Sequence, residues 1–70
     1  MRVLITMHSL TMVGHDRAKE LREFASYIGL SEEKLLSILR ELIRDGYVAV
    51  KEGKYYLTEL GVIKVLSIFS

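Results

Sequence analysis

Apolar residues recur along this chain with two different periods, and the change from one to the other divides it. From residue 21 to residue 42 the period is helical. Leu21, Phe24, Ala25 and Ile28 stand at i, i+3, i+4 and i+7, and Leu35, Ile38, Leu39 and Leu42 repeat the pattern, so each set lines one face of a helix. Between them lies Gly29-Leu30-Ser31. Gly29 tolerates the positive φ that ends a helix. The Ser31 hydroxyl is placed to accept from an orphan amide of the next helix, which makes it the expected N-cap. So short a connection does not suit an antiparallel pair and favours a steep crossing, with the small Ala25 letting the two helices approach.

After Gly46 the period drops to two. Tyr47 to Lys51 and Lys54 to Leu57 read as strands joined at Glu52-Gly53. That turn sets Lys51 opposite Lys54, Val50 opposite Tyr55, Ala49 opposite Tyr56 and Val48 opposite Leu57. Val48, Val50, Tyr55 and Leu57 then share the face that should pack on helices. Taken together, the pattern predicts an α+β, mostly helical domain spanning residues 1–70. Helices are expected over about 2–13, 17–28 and 32–45, a two-stranded hairpin over 47–57 and a C-terminal helix over 59–69. The first segment is the hardest to assign. Val3, Leu4, Met7 and Leu10 make a helical stripe, but Ile5, Met12 and Val13 spread around it, and its β-branched residues allow a strand. A helix is preferred because two helices need a third to cover their core. Asp16 is the expected N-cap of the second helix and Thr58 that of the last. In the last helix Leu60, Ile63 and Leu66 are expected to pack on the domain, with Val62, Val65, Ile68 and Phe69 facing elsewhere. Gly14, Gly29 and Gly46 each close a periodic segment, whereas Gly61 falls inside a helix.

Composition adds constraints. Seventy residues sit near the lower limit for a self-sufficient core, and a 50% hydrophobic content leans toward burial in an oligomer. There is no cysteine, hence no disulfide framework and no thiolate metal site. A formal charge of +1 does not announce nucleic-acid binding by itself. No apolar run reaches the ~18 residues of a membrane span. Arg2 precedes a segment broken by His8 and Ser9, which does not read as a secretory signal. A cytoplasmic protein that does not enter the membrane is expected.

The candidate chemistry lies on the third helix and the hairpin. The outward side of that helix carries Glu33, Lys34, Ser37, Arg40, Glu41 and Arg44. Arg40 and Arg44 share a face one turn apart, which hints at an anionic partner, although Glu41 lies beside both. Glu32 and Glu33 at the start suit the helix dipole and repel phosphate. Lys51 and Lys54 at the hairpin tip serve either edge protection or contact with a phosphate backbone. The charged face of the second helix, with Lys19 and Glu23 as an i,i+4 pair, reads as a solvated surface. Catalysis has little support. His8 and His15 are isolated, no glycine-rich phosphate loop is present, and the acidic residues are scattered. No enzyme activity, cofactor, metal or small-molecule ligand is expected.

Helix, helix-turn-helix, then hairpin is the order of a winged-helix domain. The chain resembles the small winged-helix transcriptional regulators of archaea and their viruses, related in outline to the MarR and PadR types. Ala25, Gly29, Ser31, Leu35, Leu39 and Leu42 carry the resemblance, with Asp45-Gly46-Tyr47-Val48 entering the wing. Tyr55-Tyr56-Leu57-Thr58-Glu59-Leu60-Gly61 looks like the closing motif, and the match covers residues 16–61. The resemblance implies a recognition helix reading the major groove through Lys34, Ser37, Arg40 and Arg44, with Lys51 and Lys54 on the wing touching the backbone. It also implies a homodimer on a palindromic site of double-stranded DNA, formed by the first and last helices through Leu4, Met7, Leu10, Val62, Val65, Ile68 and Phe69. Glu32 and Glu33 depart from the polar or basic residues usual at that place. The alternative is a winged-helix protein-interaction module, with Leu36 and the acidic helix start as its contact surface.

Overall fold

The computed structural model describes residues 2–69, Phe69 by its backbone alone. Its elements in chain order are α1 (Arg2–Ser9), a 3-10 turn (His15–Arg17), β1 (Lys19–Glu20), α2 (Leu21–Ile28), α3 (Glu32–Arg44), β2 (Val48–Lys51), β3 (Lys54–Leu57) and α4 (Glu59–Phe69). The fold is α+β and mostly helical. The three strands form one antiparallel sheet in the order β1-β3-β2. No helix among the described residues is long and apolar enough to cross a membrane.

The turn between α2 and α3 follows local rules. Gly29 takes φ 76° and its N–H donates to the Ala25 carbonyl at 2.9 Å. Ser31 Oγ accepts from the Lys34 amide at 3.2 Å, so it caps α3 as expected. At the far end of α3, Gly46 adopts φ 85° and donates to Ile43 O, while Tyr47 donates to Leu42 O, each at 3.0 Å. Those two bonds make the Schellman closure that a glycine at this place permits. The hairpin register is the one expected, from Val48↔Leu57 to Lys51↔Lys54. Both turn residues are left-handed, Glu52 at φ 54° and Gly53 at 76°, as a type I′ turn requires.

Three expectations are corrected. First, the opening helix stops at Ser9 instead of reaching residue 13. Thr11 N–H donates to His8 O at 3.0 Å and Met12 N–H to Met7 O at 2.9 Å, again a Schellman closure, with Thr11 at φ 56° in the place glycine usually fills. Beyond it Val13 runs extended beside Leu57, in a parallel bridge with Gly14 N–H donating to Leu57 O. Second, α2 begins at Leu21 with Glu20 as its cap residue, not at residue 17 after Asp16. Lys19 and Glu20 instead pair with Tyr55 and Lys54. That pairing satisfies the edge of β3, which would otherwise stand bare.

Third, α4 is rotated from the expected phase. Gly61 and Val65 face inward, while Leu60, Ile63 and Leu66 remain 50%, 56% and 53% exposed. The start of the helix sets this rotation. Thr58 Oγ1 donates to Gly46 O at 2.6 Å and accepts from the Gly61 amide at 3.1 Å, and Thr58 N–H donates to Tyr47 O at 3.0 Å. Gly61 is thereby pressed onto the Tyr47 carbonyl, where a Cβ would overlap the oxygen. Only glycine fits, and Val65, one turn on, follows it into the core.

The core gathers one side of every helix. Phe24, Leu4, Met7, Met12, Leu35, Leu39, Leu57, Val48 and Val65 are the largest fully buried side chains, and among the described residues no polar side chain is buried. Leu4, Met7 and Val65, expected at a dimer contact, are therefore core residues, fully buried within the single chain. Leu10 and Val62 are half-buried against the same core and Ile68 is partly exposed. The Phe69 side chain, expected at a dimer contact, lies outside the described residues.

Candidate nucleic-acid interface

The candidate interface is a consequence of how α3 spends its two sides. Thirteen residues make a helix about 20 Å long at ~1.5 Å per residue. Leu35 and Leu39 are buried, with Ile38, Leu42 and Ile43 packed beside them. The remaining arc, about 120° wide at 3.6 residues per turn, holds Glu33, Lys34, Ser37, Arg40, Glu41 and Arg44, all exposed. Lys34, Ser37, Arg40 and Arg44 thus share one solvent face. The helix carries Glu32 and Glu33 in its first turn and Arg44 in its last, the arrangement the macrodipole favours.

These cations are not consumed by the fold. Lys34 and Arg40 have no carboxylate within 4.0 Å among the described residues, and Arg44 meets only Glu41, at 4.0 Å and with both side chains largely exposed. An ion pair of that length in water contributes at most a few tenths of a kcal/mol. Other cations are engaged. Arg2 donates to the Ile28 carbonyl at 3.3 Å, closing the end of α2. Lys19 pairs with Glu23 at 3.5 Å, as its spacing predicted, and stands 5.3 Å from the Tyr27 ring centre. Lys64 stands 5.8 Å from that of Tyr47.

The second cationic point is the hairpin tip, where Lys51 and Lys54 are exposed cross-strand neighbours. The structure adds a residue missed in the sequence reading. Glu20, on β1, is the register partner of Lys54 on its other side. A two-residue strand carries no period, so nothing in the pattern marked it. Between residues 32 and 57 five cations (Lys34, Arg40, Arg44, Lys51, Lys54) meet five acids (Glu32, Glu33, Glu41, Asp45, Glu52). Any attraction for phosphate therefore comes from where the charges lie, not from their sum.

A groove that the sequence reading did not anticipate runs between the Val13–Gly14 stretch and α4. It has a volume of about 450 Å³ and is walled mainly by Val13, Tyr56, Leu57, Val62 and Ile63. His15 stands edge-on to Tyr56 nearby, ring centres 6.1 Å apart. No protein family, curated protein or solved structure matches this chain.

Proposed function

We propose that the chain is a winged-helix DNA-binding regulator of the cytoplasm, with α3 in the major groove and the β2–β3 hairpin as a wing on the backbone. The observation that carries this reading is the exposed arc of α3, which presents Lys34, Ser37, Arg40 and Arg44 on a helix whose other side is sealed into the core. The order of elements supports it. A tight helix–turn–helix is followed by a hairpin, and β1 completes a small sheet beside it. The major groove, ~12 Å wide, admits one α-helix. Arginines there read guanine or hold phosphate, and a carboxylate such as Glu33 accepts from cytosine N4. Two copies on a palindrome would set their third helices ~34 Å apart.

A titration of labelled duplex DNA at several salt concentrations tests the reading. If Lys34, Arg40, Arg44, Lys51 and Lys54 each neutralise a phosphate, log affinity falls against log salt with a slope of about −4.5 per subunit. Replacing Arg40 and Arg44 by alanine together should flatten the slope by about 1.8. Absence of binding at low salt, or a slope unchanged in the double variant, refutes it. The balance of five acids against five cations favours a second reading, a winged-helix module whose α3 face, with Leu36 at its rim, takes a protein partner. That reading is upheld if DNA binding is absent while α3 variants abolish capture of a protein partner.

A further inference from the structure

The groove between the Val13–Gly14 stretch and α4 has the size and the lining of a small-molecule site. Its volume of about 450 Å³ falls within the ~300–1,000 Å³ usual for such sites. Val13, Leu57, Val62 and Ile63 make its walls aliphatic, and Tyr56 adds an aromatic ring. Walls of this kind draw an apolar body out of water. The polar groups around them then decide what head that body carries.

Most of those groups are already spent. Leu57 N–H donates to Met12 O and Gly14 N–H to Leu57 O, so the edge of β3 beside the groove is closed to an added peptide strand. The Thr58 hydroxyl donates to Gly46 O and accepts from the Gly61 amide. That second bond also occupies an amide in the first turn of α4, where an anion would otherwise be held. What remains is Glu59. It is the charged residue of the lining, it is exposed, and among the described residues it has no ion-pair partner. The cation of the same helix, Lys64, stands by the Tyr47 ring instead. An unpaired carboxylate beside an apolar hollow repels an anion and attracts a cation. An aromatic ring on the same wall adds to that preference, because its face attracts ammonium groups.

We propose that this groove binds a small amphiphilic cation, a ring system carrying one ammonium group, with the ring against Val13, Leu57, Val62 and Ile63 and the ammonium at Glu59. The site departs from the expectation of no small-molecule ligand, because residues 13, 56 and 62 come together only in the fold. It does not rest on DNA binding by α3. An exposed ion pair and a ring contact together favour the cation over a neutral molecule of the same shape by about fivefold.

Three probes of one shape isolate the charge: naphthylethylammonium, naphthylethanol and naphthylacetate. Each is titrated into the isotope-labelled chain while its amide resonances are followed. The ammonium should bind with a dissociation constant of about a millimolar, about fivefold more tightly than the alcohol, with the carboxylate weakest. Shifts should centre on Gly14, Thr58, Glu59 and Ile63 and spare Arg40 and Arg44. In Glu59→Gln the ammonium should fall to the affinity of the alcohol, whose own binding stays unchanged. Ile63→Lys sets an ammonium four residues after Glu59 on the same helix, where the two pair, and should weaken the ammonium probe at least about fivefold. Equal affinities for the three probes, tightest binding of naphthylacetate, a preference for ammonium that survives Glu59→Gln, or shifts that fall on α3 would each overturn the inference. So would a groove that takes no probe at all, as when a second copy or a protein partner covers it. A chain that binds the ammonium and ignores DNA keeps this site and removes the DNA reading.

Discussion

Replacing Gly61 with alanine sets two forces against each other, and the structure decides between them. In a helix interior alanine is favoured over glycine by about 1 kcal/mol. At this position, however, the added Cβ would overlap the Tyr47 carbonyl oxygen, lie 2.9 Å from Leu57 Cδ2 and 3.0 Å from the Tyr47 carbonyl carbon. The obstacle is backbone, not a flexible side-chain tip. That carbonyl accepts the Thr58 amide at 3.0 Å, so it cannot retreat without loosening α4 from the base of the hairpin. Leu57 is itself 1% exposed and has no free space to turn into. Forcing a methyl group into a packed site costs about 1–3 kcal/mol, and a backbone clash belongs at the upper end. Subtracting the propensity gain leaves a destabilisation of about 2 kcal/mol. For a domain of this size that lowers Tm by about 8–16 °C. Thermal unfolding followed by far-ultraviolet circular dichroism, at one fixed protein concentration to hold any association constant, measures it. Ser26→Ala, on the exposed side of α2, is the control and should move stability by no more than a few tenths of a kcal/mol. A Gly61→Ala chain that melts at or above the natural midpoint refutes the packing account.

Three further outcomes are expected. Thr11→Gly should stabilise the domain by about 0.5–1 kcal/mol, since a β-branched residue is held at φ 56° at the end of α1; an unchanged or lower Tm counts against the strain. Glu52→Asn should add about 0.5 kcal/mol, because Asn-Gly suits a type I′ turn better than Glu-Gly, and the urea midpoint checks it. Glu32→Gln combined with Glu33→Gln should weaken the first turn of α3 by about 0.5 kcal/mol through the lost dipole interaction. The same double variant should raise non-specific DNA affinity at low salt, and a fall in that affinity would mean the acids do not oppose phosphate.

What the sequence revealed, and what it hid, divides along the range of the forces involved. Ser31, Gly29, Gly46 and Thr58 occupy the caps expected of them because a cap is decided within four residues. The hairpin register was legible for the same reason, since a two-residue turn admits few pairings. The exposed arc of α3 followed from its period. β1 was invisible because Lys19 and Glu20 are too few to show alternation, and with it went Glu20 beside Lys54. The end of α1 was hidden because threonine fills a place at which glycine is the usual signal. The rotation of α4 was beyond any local rule. A helix apolar on nearly every side has no preferred inward face, and one tertiary contact, Gly61 against Tyr47, chose it. Leu4, Met7 and Val65, placed at a dimer contact by the resemblance, are buried in the core.

The Thr58 hydroxyl reaches the Gly46 carbonyl at the exit of α3 while holding the first turn of α4. It is a rivet between the exposed arc of α3 and the apolar stripe along α4. The placing of α4 against the exit of α3 is then fixed by a single hydroxyl and a single missing methyl group. Lengthening that rivet would turn one helix against the other without altering a residue on either exposed face.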